Sequence, residues 1–211
     1  FIEGITSDAG DYQPILISGT LIIRGQRLQG DVTRLLIDGN PVDDLKLEDV
    51  NNKELRKNLD EVPLLRAGLH SIQVDHPMLM GDPEKEHSGV TSNLASFVLH
   101  PSITHTPTTS NVNWRVEAGE NVCSLDIVVN LDPPVGKGQK TYLLVNALEP
   151  DPAQPSPGWR LPVSLVLPDS ELESTTAVRT HLDRLAEGEY YVSVEVDGAQ
   201  SLSKKGVLNA P

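Results

Sequence analysis

Apolar and polar residues alternate along short stretches of the chain, and Gly, Pro, Asn and Asp separate those stretches. In the first half "PILISGTLIIRG", "VTRLLIDG", "GLHSIQVDH" and "LASFVLHP" follow this pattern. In the second half "VNWRVEAG", "SLDIVVNL", "TYLLVNAL", "PVSLVLP", "AVRTHLDRL" and "YYVSVEVDG" do the same. A period of two, carried by β-branched and aliphatic residues, sets one face of each stretch against a core, so each predicts a strand. Many short strands at such spacing are the cadence of a sandwich or barrel, and the chain is expected to be all-β.

Two stretches carry a competing helical pattern. "KELRKNLDEVPLL" places Leu55, Leu59 and Val62 at near-helical spacing, but Leu55 and Leu59 suit a strand equally and Pro63 would stop a helix. "TTAVRTHLDRL" could put Val178, Leu182 and Leu185 on one helical face. Its β-branched threonines and the alternation Thr176, Val178, Thr180, Leu182 favour a strand.

A weak internal repeat organises these elements. "RAGLHSIQVDHP" from Arg66 resembles "AEGEYYVSVEVDG" from Ala186, with Gly68 over Gly188, Ile72 over Val192 and Val74 over Val194. Both read as a turn feeding the last long strand of a sandwich, which points to two similar domains in tandem. "HPSITHTPTTSNVN", His100 to Asn113, has the prolines and polar residues of an extended connector, and the expected domains are residues 1–103 and 104–211. The proline-rich "EPDPAQPSPGW" at 149–159 is expected to be a long loop inside the second domain, because too few strands flank it on either side for a core.

Composition narrows the function classes. The chain has 211 residues, of which 38% are hydrophobic, with a formal net charge of -13 spread evenly over both halves. Such a surface repels phosphate backbones, so nucleic acid is not an expected partner. No apolar run is long enough to span a bilayer, and "FIEGITSDAG" has neither the basic nor the apolar region of a signal peptide. The chain begins at Phe1, which leads to the expectation that it is processed or preceded by a further domain. One cysteine, Cys123, excludes an intrachain disulfide, and no Asn-x-Ser/Thr sequon occurs, so assembly in a reducing compartment is expected.

The strongest candidate chemistry lies in "VDHPMLMGDPEKEHSGV", Val74 to Val90, which holds two histidines and four carboxylates. His76, Asp82, Glu84, Glu86 and His87 include ligand types for a divalent metal. Their spacing matches no known metal motif, and Pro77, Gly81 and Pro83 mark a turning chain. The expected reading is an ordered inter-strand loop whose histidines bond its own backbone. "VGKGQK" at 135–140 superficially suggests a phosphate cradle but precedes a strand where a helix would be needed, so a hairpin turn is expected. Cys123 reads as a small buried hydrophobe, and Trp114 and Trp159 as core or loop anchors. No catalytic, cofactor or metal site is assigned, and no cofactor is expected.

The first half also carries a family resemblance. "LISGTLIIRGQRLQGDVTRLLIDGN" resembles the opening of an IPT/TIG immunoglobulin-like domain, with Gly25, Gly30 and Gly39 at turn positions that call for φ > 0. "LLRAGLHSIQVDHPMLMGDPEKEHSGVTSNLASFVLHPSI", with "LAEGEYYVSVEVDGAQS" downstream, resembles the C-terminal immunoglobulin-like region of the tail-terminator or cap proteins of phage-tail-like contractile injection systems of bacteria. The matching positions are Ala67, Gly68, Gln73, Val74, His76, Pro77, Gly81, Pro83, His87, Ser92, Asn93, Phe97, Leu99 and Pro101. The "DPEKEH" run is more charged than the family's pattern.

The resemblance implies two tandem immunoglobulin-like β-sandwiches in a non-enzymatic structural protein. It would follow a ring-forming N-terminal domain and contact other subunits at the end of the tube and sheath. That particle would assemble in the cytoplasm and could be released from the cell. The alternative, from a different class, is a ligand- or carbohydrate-binding accessory module of an extracellular enzyme or adhesin.

Overall fold

The computed structural model describes residues 1–42, 45–148, 158–167 and 172–208. The chain is all-β and divides into two compact units, Phe1–Leu99 and His100–Pro211. The division falls before the expected 103/104 boundary because Ser102–Ile103 already pairs with Leu131 and Asp132. The expected connector is therefore the first edge of the second unit, with Thr108–Glu117 a strand rather than a linker.

The first unit holds β1 (Ile2–Ser7), β2 (Thr20–Gly25), β3 (Arg34–Ile37), β4 (Asn40–Val42), β5 (Glu54–Asn58), β6 (Gly68–Met80), β7 (Lys85–Thr91) and β8 (Ala95–Leu99). One antiparallel sheet runs β1-β2-β5, and the other runs β4-β3-β6-β7 with β8 also on β6. First, second and fifth strands opposing the rest is an immunoglobulin-like order, with the fourth strand moved to the second sheet. The core between the sheets takes Leu21, Ile23 and Leu55 from one and Leu35, Ile37, Ile72, Val74, Phe97 and Leu99 from the other. The stretch that read both as helix and as strand is both in turn: β5, then a 3-10 turn at Leu59–Glu61.

The second unit holds β9 (Ser102–Ile103), β10 (Thr108–Glu117), β11 (Glu120–Gly136), β12 (Thr141–Ala147), β13 (Gly158–Pro162), β14 (Ser164–Leu165), β15 (Ser174–Ala186), β16 (Gly188–Val196), β17 (Ala199–Gln200) and β18 (Lys204–Leu208). Its sheets are β10-β11-β15-β14, with β9 on β11, and β13-β12-β16-β17, with β18 on β16. "TTAVRTHLDRL" is strand, with Val178 and Leu182 buried on β15. Residues 149–157 of the expected long loop lie outside the described residues, and Gly158 and Trp159, expected in that loop, already pair with β12 as the start of β13. "VGKGQK" is not a hairpin turn: it carries the chain from β11 in one sheet to β12 in the other. The Asp197 carboxylate accepts the Lys140 N–H at 2.9 Å and the Gln139 amide at 3.0 Å, which holds that corner.

The two units repeat each other in atomic detail around β6 and β16. Gly68 (φ 137°) and Gly188 (φ 157°) start these strands in a conformation that side chains disfavour. His70 Nε2 bonds the carbonyl of Arg66 at 2.7 Å, and Tyr190 Oη bonds the carbonyl of Ala186 at 2.8 Å, each four residues back. In the second unit this is a tyrosine corner. Farther along, the return strand breaks at Ser92 and at Ser201. The Val74 N–H donates to Ser92 Oγ and the Val194 N–H to Ser201 Oγ, both at 2.9 Å. A hydroxyl thus supplies the acceptor that the interrupted ladder removes from a buried N–H.

Of the glycines expected to need positive φ, only Gly39 does, at 77° in the tight β3–β4 turn. Gly25 and Gly30 answer a different constraint, close approach. A Cβ on Gly25 would lie 2.0 Å from the Phe1 carbonyl oxygen, and one on Gly30 would lie 3.0 Å from the His76 ring.

Ser201→Ala is expected to cost the second unit about 1–3 kcal/mol, the penalty of a buried N–H left without an acceptor. Both tryptophans, Trp114 and Trp159, lie in that unit, so urea unfolding followed by tryptophan fluorescence reads it directly. An unchanged midpoint would contradict the bridging role.

Candidate functional site

Beyond the repeated frame the units diverge at one place. After Val196 the second unit turns at once through Asp197 (φ 47°) and Gly198 (φ 88°), a two-residue turn of the kind hairpins favour. After the equivalent His76 the first unit continues. β6 runs on to Met80, the chain turns through residues 81–84, and β7 returns from Lys85. At about 3.3 Å per residue, Pro77 to Met80 carries the hairpin roughly 13 Å past the place where the second unit turns. The stretch expected to be a loop is therefore a paired arm.

Specific side chains set the root of this arm. His76 Nε2 donates to the Leu28 carbonyl at 3.1 Å, so the ring bonds a distant loop and not its own backbone as expected. The ladder shifts register between His76 and Met78, where a Cβ on Gly89 would fall 1.8 Å from the His76 carbonyl oxygen. Arg34 of β3 pairs with Glu86 of β7. The Asn93 side chain clamps β1, accepting the Ile2 N–H at 2.7 Å and donating to the Ile2 carbonyl at 3.1 Å.

From the root to the turn, every residue of β7 is exposed. Met78, Leu79, Met80 and Val90 are 51%, 42%, 53% and 71% exposed, an unusual concentration of bare apolar side chains. β7 is also the last strand on its path through the sheet.

The candidate ligands do not converge. His76 opposes Val90 and His87 opposes Met78, on different rungs of the ladder. Glu86 is taken up by Arg34, and Asp82 and Glu84 sit exposed in the turn. Among the described residues, no three His, Cys, Asp or Glu side chains form a group that could hold a metal ion. Cys123 is fully buried between Trp114 and Leu185, and burial pushes its thiol up from the ordinary range, although Arg115 pulls the other way. That is the reverse of an activated nucleophile. Trp114 opposes buried Cys123 and Trp159 opposes buried Val145, so both rings stand on the core sides of their sheets.

A further constellation was not foreseen. Asp38, His70 and Ser71 line a cleft of about 380 Å³ together with Leu69, Leu94, Ala95 and Ser96. The residue types suggest acid, base and nucleophile, but the geometry refuses it. Ser71 Oγ donates to Asp38 Oδ1 at 3.3 Å, and His70 spends both ring nitrogens on Asp38 and Arg66. No ring nitrogen remains to take a proton from the hydroxyl. The repeat carried the available signal, since it sets His70 over Tyr190.

These features define an all-β sandwich protein with a projecting apolar hairpin. Residues 101–209, nearly the whole second unit, match the family described as a domain of unknown function, DUF8756, and the chain belongs to that family. No curated protein matches the chain.

Burial raises the Asp38 carboxyl, but hydrogen bonds from His70 and Ser71 outweigh it and hold the group below its ordinary value. A carboxylate lowered in the folded state contributes stability that is present above about pH 4 and is lost as pH falls through the folded value. Asp38→Asn is expected to flatten the acid limb of first-unit stability as pH falls below about 4, read by hydrogen exchange in β3 and β6. An acid limb identical to that of the parent would contradict this.

Proposed function

We propose that this chain is a non-enzymatic structural protein whose immunoglobulin-like sandwiches mediate protein–protein contacts, with the β6–β7 arm as the contact element. The observation that carries the reading is the arm itself: β7 is an open edge strand, and Met78, Leu79 and Met80 of β6 with Val90 of β7 stand bare along the hairpin above an anchored root. Soluble proteins protect such edges, and contiguous exposed apolar surface marks an interaction site. Lys85, Glu86 and His87 on β7 discourage indiscriminate pairing, and a net charge of -13 sets copies of the chain against one another. The arm therefore suits a different protein better than a second copy.

The particular setting we propose is the end of a contractile injection particle, with the chain as the β-sandwich region of a tail-terminator or cap protein. The motif residues support a structural use. Gly68 starts β6, Ser92 bridges to it, Asn93 clamps β1, His76 ties the arm root, and Phe97 and Leu99 fill the core. The carbohydrate-binding alternative would need open aromatic faces on an outer sheet surface; Trp114 and Trp159 do not stand there, the Tyr142 ring is covered by the Arg160 guanidinium, and exposed Tyr191 is left as its one support on β12 and β16.

The test replaces Met78, Leu79 and Met80 together with serine in the producing bacterium. These side chains are exposed, so the sandwich should fold unchanged. The parent chain is expected to co-purify with intact particles and the triple variant to be lost from them, with a broadened distribution of tube lengths in electron micrographs. Particles of parental length and composition, or purified particles that lack the parent chain, would overturn the proposal.

A further inference from the structure

His70 and Tyr190 occupy equivalent places and make equivalent bonds, but they differ in what those bonds require. The tyrosine needs only its own hydroxyl, which donates to the Ala186 carbonyl. His70 faces two acceptors, with Nε2 2.7 Å from the Arg66 carbonyl and Nδ1 2.7 Å from Asp38 Oδ2. A carbonyl and an ionised carboxylate can only accept, and a neutral imidazole has only one N–H to give. We propose that His70 closes the first sandwich as an imidazolium, so that the first unit's corner depends on a proton and the second unit's corner does not.

The surroundings suit a cation. The side chain is buried, at 9% exposure for the residue, and the Phe97 ring lies 5.3 Å away between centroids at an interplanar angle of 30°. An aromatic face attracts a positive charge. Asp38 is aimed by the Ser71 N–H, which donates to its second oxygen at 2.8 Å. Apart from Asp38, the residues that line the cleft beside His70, namely Leu69, Ser71, Leu94, Ala95 and Ser96, carry no charge. β8 brings Phe97, Ala95 and Ser96, its own strand brings Leu69 and Ser71, and Arg66 contributes its carbonyl.

Loss of one ring proton turns a nitrogen lone pair against the Arg66 carbonyl or against the Asp38 carboxylate. Either way a buried charge-assisted bond is replaced by two facing acceptors. Stability that depends on a bound proton is present on the acid side and is lost as pH rises. The consequence is local to the start of β6, the strand whose far end is the arm. The first unit thus has an arm rooted on a proton-dependent strand, and the second, with its short turn, has a proton-independent one.

Hydrogen exchange on the full chain between pH 5.5 and pH 8.5, corrected for intrinsic rates, compares residues 66–75 with residues 186–195 in the same molecule. Protection of 66–75 is expected to fall about tenfold or more as pH rises, given the worth of a charged hydrogen bond, while 186–195 holds steady. His70→Tyr, which installs the second unit's solution, is expected to remove the difference. Should that variant fail to fold, imidazole nitrogen NMR on the parent at pH 5.5 decides the matter, with both His70 nitrogens expected to carry protons. Equal protection of both segments across the range, or one bare His70 nitrogen at pH 5.5, would overturn the proposal.

Discussion

The strand that begins at Gly68, and its counterpart at Gly188, set the terms for each unit. Such a strand lies between two neighbours in its sheet and must present alternate residues to the core without slipping by one, because a one-residue slip would turn every apolar side chain outward. Three devices prevent that slip: a glycine at positive φ, a side chain bonded to the carbonyl four residues back, and a serine bridging the far end. Ile72 and Val74, like Val192 and Val194, are buried as a result. The identical pairing of β8 on β6 and of β18 on β16 follows, with Gly68 opposite Leu99 and Gly188 opposite Leu208.

With the frame fixed at both ends, the hairpin beyond it is free to vary. The second unit spends two residues there and the first spends a full arm. Because the bridge at Ser92 and the clamp at Asn93 lie behind the arm, exposed methionines at its far end need not disturb the core. A rigid scaffold carrying a variable projecting element is the usual way in which a β-sandwich acquires a binding role.

The fold was largely legible in the sequence, because alternation such as Leu35, Ile37 or Val192, Val194, Val196 leaves few other structures open. The repeat was legible through Gly68 and Gly188. The arm was not, because Pro77, Gly81 and Pro83 are turn signals and the charged "EKEH" run has no apolar face, so β7 is held by its partner strand rather than by its own composition. β9 was missed for a related reason: two residues cannot display a period. The Asp38–His70 pair was invisible because its members are 32 residues apart and meet only when β3 pairs with β6. The reading of Gly25 and Gly30 as positive-φ positions failed because a missing side chain serves close approach as readily as an unusual dihedral.

The central claim is that residues 66–75 and 92–99 close the first sandwich by themselves and that the arm is an addition to it. Replacing residues 77–89 by Asp-Gly, the second unit's own turn between paired neighbours, tests this most directly, with hydrogen exchange in β6 and β8 of the full chain as the measurement. The account predicts parental protection at Ile72, Val74 and Phe97 in the trimmed chain. Collapse of protection at those three residues, with the second unit intact, would show that the arm holds the sandwich together and contradict it.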